Sequence, residues 1–264
     1  MEPFTFRQGT TPLLVGMPHI GTAIPEDIAR GMTEAALTVP DTDWHLDRLY
    51  DFLDEIGASV LAAAWSRYVV DTNRPPDGAD LYPGEDTTGV VPLDTFDRAP
   101  LYRPGTAPDA GQVARRIDTY WRPYHTKIQK ELERLKAAHG YALMWEAHSI
   151  HSVVPRFFDG RLPDLNLGTV NGASCAPDLA ARLYEIAQGS EYDAVLDGRF
   201  MGGHILRAHG DPAGGVQAVQ LELSQATYMD EAPPVAFREE WAAALRPTLR
   251  ALIDAMLAWA DGRS

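Results

Sequence analysis

Four polar side chains carry the chemistry that this sequence most readily suggests. His19 and His148 each follow a short apolar run, so both imidazoles are predicted at the carboxyl ends of buried strands. Asp43 precedes an amphipathic helical pattern, and Glu222 lies in an alternating apolar run. Two imidazoles and a carboxylate are a common ligand set for hydrolytic zinc, which keeps its fourth position for water or substrate.

Glu222 is the natural general base for such a site. A buried glutamate with no partner or role would be costly to keep, and this one would take the proton from an attacking water. The spacing of His19, Asp43 and His148 is by itself a weak signal, because no two of them form a local motif. A metal-free hydrolase that uses Ser149 with His148 is an alternative, but adjacent residues of a strand point to opposite faces.

The composition is that of a folded, acidic protein. The 264 residues are 45% hydrophobic and 23% charged, which is typical of globular chains. The net charge of −14 would repel nucleic acid and an anionic membrane surface, so an anionic small substrate would need arginines close to it. The oligomeric state, including a homo-oligomer, stays open.

The chain reads as cytoplasmic. A single cysteine, Cys175, excludes an intramolecular disulfide and favours a reducing compartment. The first ten residues lack the pattern of a signal peptide, and no apolar run is long enough to span a membrane.

Strand and helix patterns alternate along the chain, which predicts one α/β domain over residues 1–264 with a mixed, mostly parallel sheet flanked by helices. Apolar and alternating runs predict strands at 12–17, 59–65, 141–145, 166–170, 194–196 and 216–223. Helical spacing covers 113–135, 177–187 and the C-terminal region, and Pro123 predicts a kink or break in the first of these.

Three further elements bear on the site and the core. The pattern from Leu46 to Ile56 predicts one amphipathic helix whose first turn carries Asp43. Residues 75–105 are rich in Pro, Gly and Asp, which predicts a long irregular loop at the rim of an active site. Trp241 and Trp259 fall on the apolar face of the last helix and are predicted in the core.

Several ordered motifs resemble the N-formylglutamate amidohydrolase (deformylase) family of histidine degradation, over residues 12 to 225, nearly the whole chain. They are Pro18-His19-x-Gly21, Asp41 to Tyr50, Asp71-x-Asn73-Arg74-Pro75-Pro76, Ala147-His148-Ser149-Ile150, Gly202-Gly203-x-x-x-Arg207 and Glu222-Leu223.

The resemblance implies a phosphorylase/hydrolase-like three-layer fold related to zinc carboxypeptidases. It implies hydrolysis of N-formyl-L-glutamate to formate and L-glutamate, with His19 and His148 as zinc ligands and Glu222 as the base. The alternatives are a zinc deacylase for another N-acyl amino acid, which differs only in its acyl pocket, and a non-catalytic binding protein of the same fold.

The resemblance also implies how the substrate is held. The pair Asn73 and Arg74 matches the pair that binds a substrate carboxylate, and the glycine motif brings Gly203 with Arg207. Two arginines, Arg74 and Arg207, would then clamp the two carboxylates of the substrate with bidentate contacts.

The sequence departs from the pattern of these relatives in three places. The carboxylate ligand expected three residues after His19 is absent, because Thr22 stands there. Asp43 is the replacement we predict, with Asp47 or His45 as the alternatives. Glu146 stands where aspartate is usual and keeps a carboxylate that can orient His148 from behind. Met201 stands where lysine is frequent and alters the anion pocket.

Overall fold

The computed structural model describes residues 2–81 and 84–262. Within these residues seven strands form one sheet. The strands are β1 (Phe4–Arg7), β2 (Leu13–Met17), β3 (Ser59–Ala63), β4 (Ala142–Ile150), β5 (Leu165–Gly168), β6 (Ala194–Leu196) and β7 (Val216–Ser224). Their order across the sheet is β1-β3-β2-β4-β7-β5-β6.

The helices of the described residues are α1 (Glu26–Ala29), α2 (Leu46–Leu49), α3 (Leu53–Ile56), α4 (Ala110–Arg116), α5 (Arg122–His139), α6 (Pro177–Gln188), α7 (His204–His209) and α8 (Glu239–Asp261). A π-helical stretch, Ile117–Trp121, joins α4 to α5, and Pro123 lies in the first turn of α5, so the predicted interruption is confirmed. In this part of the chain no helix is long and apolar enough to cross a membrane.

The sheet is mixed and mostly parallel, as predicted. The central strands β2, β4 and β7 run parallel, as do β2 with β3 and β5 with β6, while β1 and β5 pair antiparallel with β3 and β7. All residues of β2, β4 and β7 are buried, as parallel strands covered on both faces should be.

Helices cover both faces of the sheet. On one face Trp145 packs in a core cluster that includes Leu183 of α6 and Leu249 of α8. On the other face Met144 shares a cluster with Ile128 of α5. Alternate residues of β4 therefore serve two separate cores, which fixes the register of the strand that carries the site.

Strand β4 is longer than the sequence predicted. It does not end at Trp145 but continues to Ile150, so Glu146 and His148 lie within the strand. The reason is a non-local one: β7 pairs with β4 from Ala142 to Ile150 without a break.

The prediction of one helix for the pattern from Leu46 to Ile56, with Asp43 in its first turn, is wrong. The chain forms two single turns, α2 and α3, and Asp43 lies before them rather than in a first helical turn. His45 adopts a left-handed conformation with φ of 62°, which a continuous helix cannot accommodate. The apolar spacing still delivers Leu46 and Leu53 to the core.

The aromatic residues of α8 also differ from expectation. Trp241 is 43% exposed, although the aliphatic residues of the same face are buried. Trp259 is half-buried and donates to Asp178 at 2.9 Å. Their indole rings therefore lie at the edge of the core rather than inside it.

Candidate active site

His19, Asp43 and His148 converge at the carboxyl ends of the central strands. All three are buried, and one ligand atom from each lies within 4.8 Å of the others. The two imidazole ring centroids are 5.0 Å apart. Asp43 Oδ2 lies 3.1 Å from His148 Nδ1 and 3.7 Å from His19 Nδ1. This arrangement can hold one metal ion.

The fold brings these residues together from distant parts of the chain. His19 lies two residues after the end of β2, and β2 runs parallel to β4, which carries His148. The backbone N–H of Asp43 donates to the carbonyl of His19 at 3.1 Å, so the turn before α2 is fastened to the end of β2.

Electrostatics couple the three groups. Burial alone would raise the pKa of Asp43, but hydrogen bonds and charge interactions with His148 and His19 outweigh it and hold that pKa below its usual value. Burial lowers the pKa of His148. The site therefore presents an ionised carboxylate and a neutral imidazole, which are the forms that bind a metal.

Asp71 orients the His19 ring through the nitrogen that faces away from Asp43. His19 Nε2 lies 2.8 Å from Asp71 Oδ1, and Arg67 Nη2 donates to Asp71 Oδ2 at 2.7 Å. Because a carboxylate only accepts, Nε2 carries the proton of the neutral ring, and the lone pair is on Nδ1, which faces Asp43. This is the usual arrangement behind a histidine that binds a metal.

His148 has two polar neighbours at its Nε2 atom. The side-chain nitrogen of Asn73 lies 3.2 Å away, and Glu146 Oε2 lies 3.7 Å away. The carboxyl of Glu146 is fully buried, and that burial raises its pKa. Glu146 is therefore beside His148, as predicted, but at a distance longer than a hydrogen bond.

Glu222 is the neighbour of His148 in the sheet. The two residues are paired in the register of β4 and β7, and both line the same cavity. Burial, and secondarily the charge of Asp43, raise the pKa of Glu222 well above its usual value. A carboxyl with a raised pKa next to His148 is suited to proton transfer near neutral pH.

Three arginines are among the described residues of the cavity wall: Arg67, Arg74 and Arg199. Arg67 is buried against Asp71 and Asp43. Arg74 donates from Nε to the carbonyl of Thr88 at 2.9 Å. Part of the predicted rim, represented by Asp86, Thr87 and Phe96, completes the wall. A cluster of cations in a chain of net charge −14 marks this cavity as a site for an anion.

Gly203 has a steric role. A Cβ atom there would lie 2.2 Å from the side-chain nitrogen of Asn73, while Asn73 Oδ1 accepts from the N–H of Ile205 at 2.9 Å. The glycine thus allows Asn73 to contact both α7 and His148.

Residues 11–229 match the family described as N-formylglutamate amidohydrolase. The chain is 54% identical over 263 residues to an N-formylglutamate deformylase of Pseudomonas aeruginosa, covering 99% of this chain and 98% of that protein. It is 50% identical to an N-formylglutamate deformylase of Pseudomonas putida, with 98% and 97% covered. This chain belongs to the N-formylglutamate amidohydrolase family.

The fold is shared with a solved structure. The crystal structure of N-formylglutamate amidohydrolase from Ralstonia eutropha JMP134 superposes with a TM-score of 0.84 at 24% identity and full coverage of both chains. At this identity the superposition supports the fold alone. Family membership, which was recognised from the motifs, is confirmed.

Not every residue that the family motifs suggested lies at the site. Arg207 is exposed on α7, donates to the carbonyl of Gly202 at 3.3 Å and is not among the described residues of the cavity wall. Its assignment to a substrate carboxylate stays a prediction without support from the geometry.

The alternatives to Asp43 lie elsewhere. Asp47 is exposed in a different groove, and His45 donates from Nε2 to the carbonyl of Val235 at 2.7 Å. The Ser149 hydroxyl accepts from Tyr228 at 2.7 Å and Gln225 at 3.3 Å, and no described hydrogen bond joins it to the His148 ring.

The sequence reasoning missed Asp71, Arg67 and Arg199. Asp71 was in a motif of the N-formylglutamate amidohydrolase family but received no role. Arg199 stood in the glycine-rich segment 198–204, and an arginine between glycines in an acidic chain was a usable signal for anion binding. Nothing in the local pattern around Arg67 indicated that it would be buried.

Proposed function

We propose that this chain hydrolyses N-formyl-L-glutamate to formate and L-glutamate with the help of one divalent cation. The observation that carries the proposal is the meeting of His19, Asp43 and His148. Both imidazoles of this group line one cavity with Glu222 and three arginines. The two Pseudomonas relatives carry the name of this activity at 50% identity or more.

The residues fit a zinc ion. His19, Asp43 and His148 would hold it with two imidazoles and one carboxylate, whose ligand atoms lie within 4.8 Å of each other. Zinc held by three protein ligands keeps a further position for water or substrate. When bound, such a cation polarises a carbonyl and lowers the pKa of a water to about 7. Asp71 supports this function because it holds the His19 proton on Nε2.

Glu222 moves the protons. Its carboxylate takes a proton from the attacking water and later gives it to the nitrogen of the departing glutamate. A group that must act in both directions works best with a pKa near the working pH, and burial raises the pKa of Glu222 in that direction.

Arg74 would hold the α-carboxylate of the substrate. It lines the cavity next to Asn73, and its contact with the Thr88 carbonyl fixes the guanidinium. The bidentate geometry of arginine suits a carboxylate, and the local positive charge offsets the acidic character of the chain.

We also propose that the fold is related to that of zinc carboxypeptidases and that the protein is cytoplasmic. The parallel core strands that carry ligands at their carboxyl ends support a relation to the phosphorylase/hydrolase-like fold of zinc carboxypeptidases. The single, buried Cys175 supports a reducing, cytoplasmic setting.

The direct test measures the release of formate from N-formyl-L-glutamate. In parallel, it measures the release of acetate from the N-acetyl analogue and of succinate from the N-succinyl analogue. We expect the formyl compound to be the preferred substrate. The Glu222→Gln variant should keep its metal, measured by elemental analysis, and lose about 100-fold to 10,000-fold in kcat. Metal-loaded protein that binds N-formylglutamate without turnover would instead identify a binding protein.

A further inference from the structure

The cavity has two chemically different ends. One end holds His19, His148 and Arg67, and Arg67 is tied to Asp71 behind His19. The other end is formed by Arg199 with the rings of Phe157 and Phe200, whose centroids lie 5.8 Å and 5.4 Å from the guanidinium carbon.

Two aromatic rings separate the arginines at these ends. Arg67 stacks over Phe96 at 4.8 Å, and Phe96 meets Phe157 edge-on at 4.9 Å between centroids. Arg199 contacts the same Phe157 ring, with its guanidinium carbon 5.8 Å from the centroid. The cavity wall therefore connects Arg67 to Arg199 through two aromatic rings, and we place the reacting group of a ligand near His19 and His148 and its far end near Arg199.

Arg199 is held in one orientation. Its Nε donates to the carbonyl of Phe157 at 2.6 Å, and the guanidinium also makes cation–π contacts with Phe157 and Phe200. Its side chain is only 18% exposed. A cation that is already ordered loses little conformational freedom when it binds an anion, so this arginine is preorganised for that task.

The proposed substrate has an anionic group at a matching place. The α-carboxylate is attached to the carbon that carries the scissile amide, so it stays close to the reacting end. The γ-carboxylate is separated from that carbon by two methylene groups and is the charged group farthest from the scissile bond.

We propose that Arg199, rather than Arg207, binds the γ-carboxylate and gives the enzyme its preference for a dicarboxylate substrate. This inference rests on the proposed function. Arg207 is on the exposed side of α7, whereas Arg199 is part of the cavity wall.

The test compares N-formyl-L-glutamate with N-formyl-L-glutamine, which replaces the γ-carboxylate by a neutral amide of the same shape. In the unaltered enzyme the glutamate compound should have the lower KM. Arg199→Met should raise that KM about 30-fold or more with little change in kcat, because it removes a contact made equally in ground and transition states. The KM for the glutamine compound should change much less.

Further variants distinguish the contribution of the positive charge of Arg199 from that of its bidentate contact, and from the effect of removing an arginine elsewhere on the surface. Arg199→Lys should give an intermediate KM, since it keeps the charge and loses the bidentate fork. Arg182, an exposed residue of α6, provides the matched surface control, and Arg182→Met should leave the preference intact. Arg207→Met should also retain the preference.

Four other outcomes would overturn either the Arg199 assignment or the proposed function. Equal losses for both substrates in Arg199→Met, or loss of the preference in Arg207→Met alone, would overturn the Arg199 assignment. An unaltered enzyme that releases formate equally well from both compounds would overturn it as well. Release of formate from neither compound would overturn the proposed function itself.

Discussion

Two pairs of histidines contact the segment Asp71–Arg74, and all four except the partly buried His209 are buried. In the first pair, His19 and His148, the ring centroids are 5.0 Å apart, and in the second, His125 and His209, they are 5.2 Å apart. Both pairs join residues that are far apart in the chain, and both contact this segment. The two pairs nevertheless differ in what they can bind.

The two pairs differ in the groups that contact their imidazole rings. The first pair contacts two carboxylates, Asp43 and Asp71. The second pair contacts a backbone carbonyl: His125 Nε2 lies 2.7 Å from the oxygen of Thr72. Among the described residues, the group around His19 and His148 is the one whose spacing suits a metal. Carboxylates thus decide which imidazole pair can attract a cation.

The second pair supports the segment mechanically. Because the Thr72 carbonyl only accepts, His125 Nε2 carries the proton, and His125 Nδ1 accepts from His209 Nε2 at 3.0 Å. Trp121 stacks on His125 with centroids 3.7 Å apart and donates to the carbonyl of Arg74 at 3.0 Å. These contacts fix the backbone that presents Asp71, Asn73 and Arg74 to the first pair.

The largest effect should come from removing the carboxylate at the centre of the first pair. Asp43→Asn should abolish stoichiometric metal binding and lower formate release about 100-fold or more, because the neutral amide is a poor ligand for zinc. Elemental analysis and a formate assay on the same preparation measure both effects.

Asp47→Asn is the matched control for that change. Asp47 is four residues further along the chain and exposed, so metal content and activity should stay at the level of the unaltered protein. If Asp47→Asn lost the metal and Asp43→Asn kept it, the assignment of the carboxylate ligand would be wrong.

A smaller effect is expected when the support behind His19 is weakened. Asp71→Asn removes the anion that holds the His19 proton on Nε2 and leaves Arg67 without its closest ion pair. Metal affinity should fall about 10-fold to 100-fold, as it does when such outer partners are lost. Competition with a chelator measures it, and an unchanged affinity would show that Asp71 only neutralises Arg67.

Part of the first pair's surroundings could be predicted from the sequence. The meeting of His19, His148 and Glu222 follows from their position near the carboxyl ends of parallel strands, which lie at one edge of a sheet. The role of Asp71 could not be predicted in this way, because it depends on how an irregular segment after β3 folds back onto His19.

The errors have similar causes. The length of β4 is set by its pairing with β7, which is distant in the chain, and the break before α2 depends on the left-handed backbone of His45. The role of Arg207, which the motif resemblance implies, stays a prediction, since its side chain is exposed on α7 and is not among the described residues of the cavity wall. Local patterns predicted the elements, whereas contacts between distant segments decided which side chains face the cavity.

The smallest effect should come from the second pair and concerns stability. Burial lowers the pKa of His125 from 6.5 to about 3 and that of His209 to about 4. The unfolded chain therefore takes up protons first as the pH falls. The contribution of the neutral rings is fully present above pH 6.5 and is lost progressively as the pH falls toward these folded-state values.

His125→Gln tests this dependence, because an amide can donate to the Thr72 carbonyl but does not titrate. Between about pH 7.5 and about pH 5, the free energy of unfolding should fall about 1–2 kcal/mol less in this variant than in the unaltered protein. Denaturant titrations at the two pH values measure the difference, and His139→Gln near the end of the same helix should behave like the unaltered protein. Metal content should be unchanged in both variants, since neither histidine contacts Asp43. A loss of metal in His125→Gln would mean that the two pairs act as one site rather than as a binding group and its support.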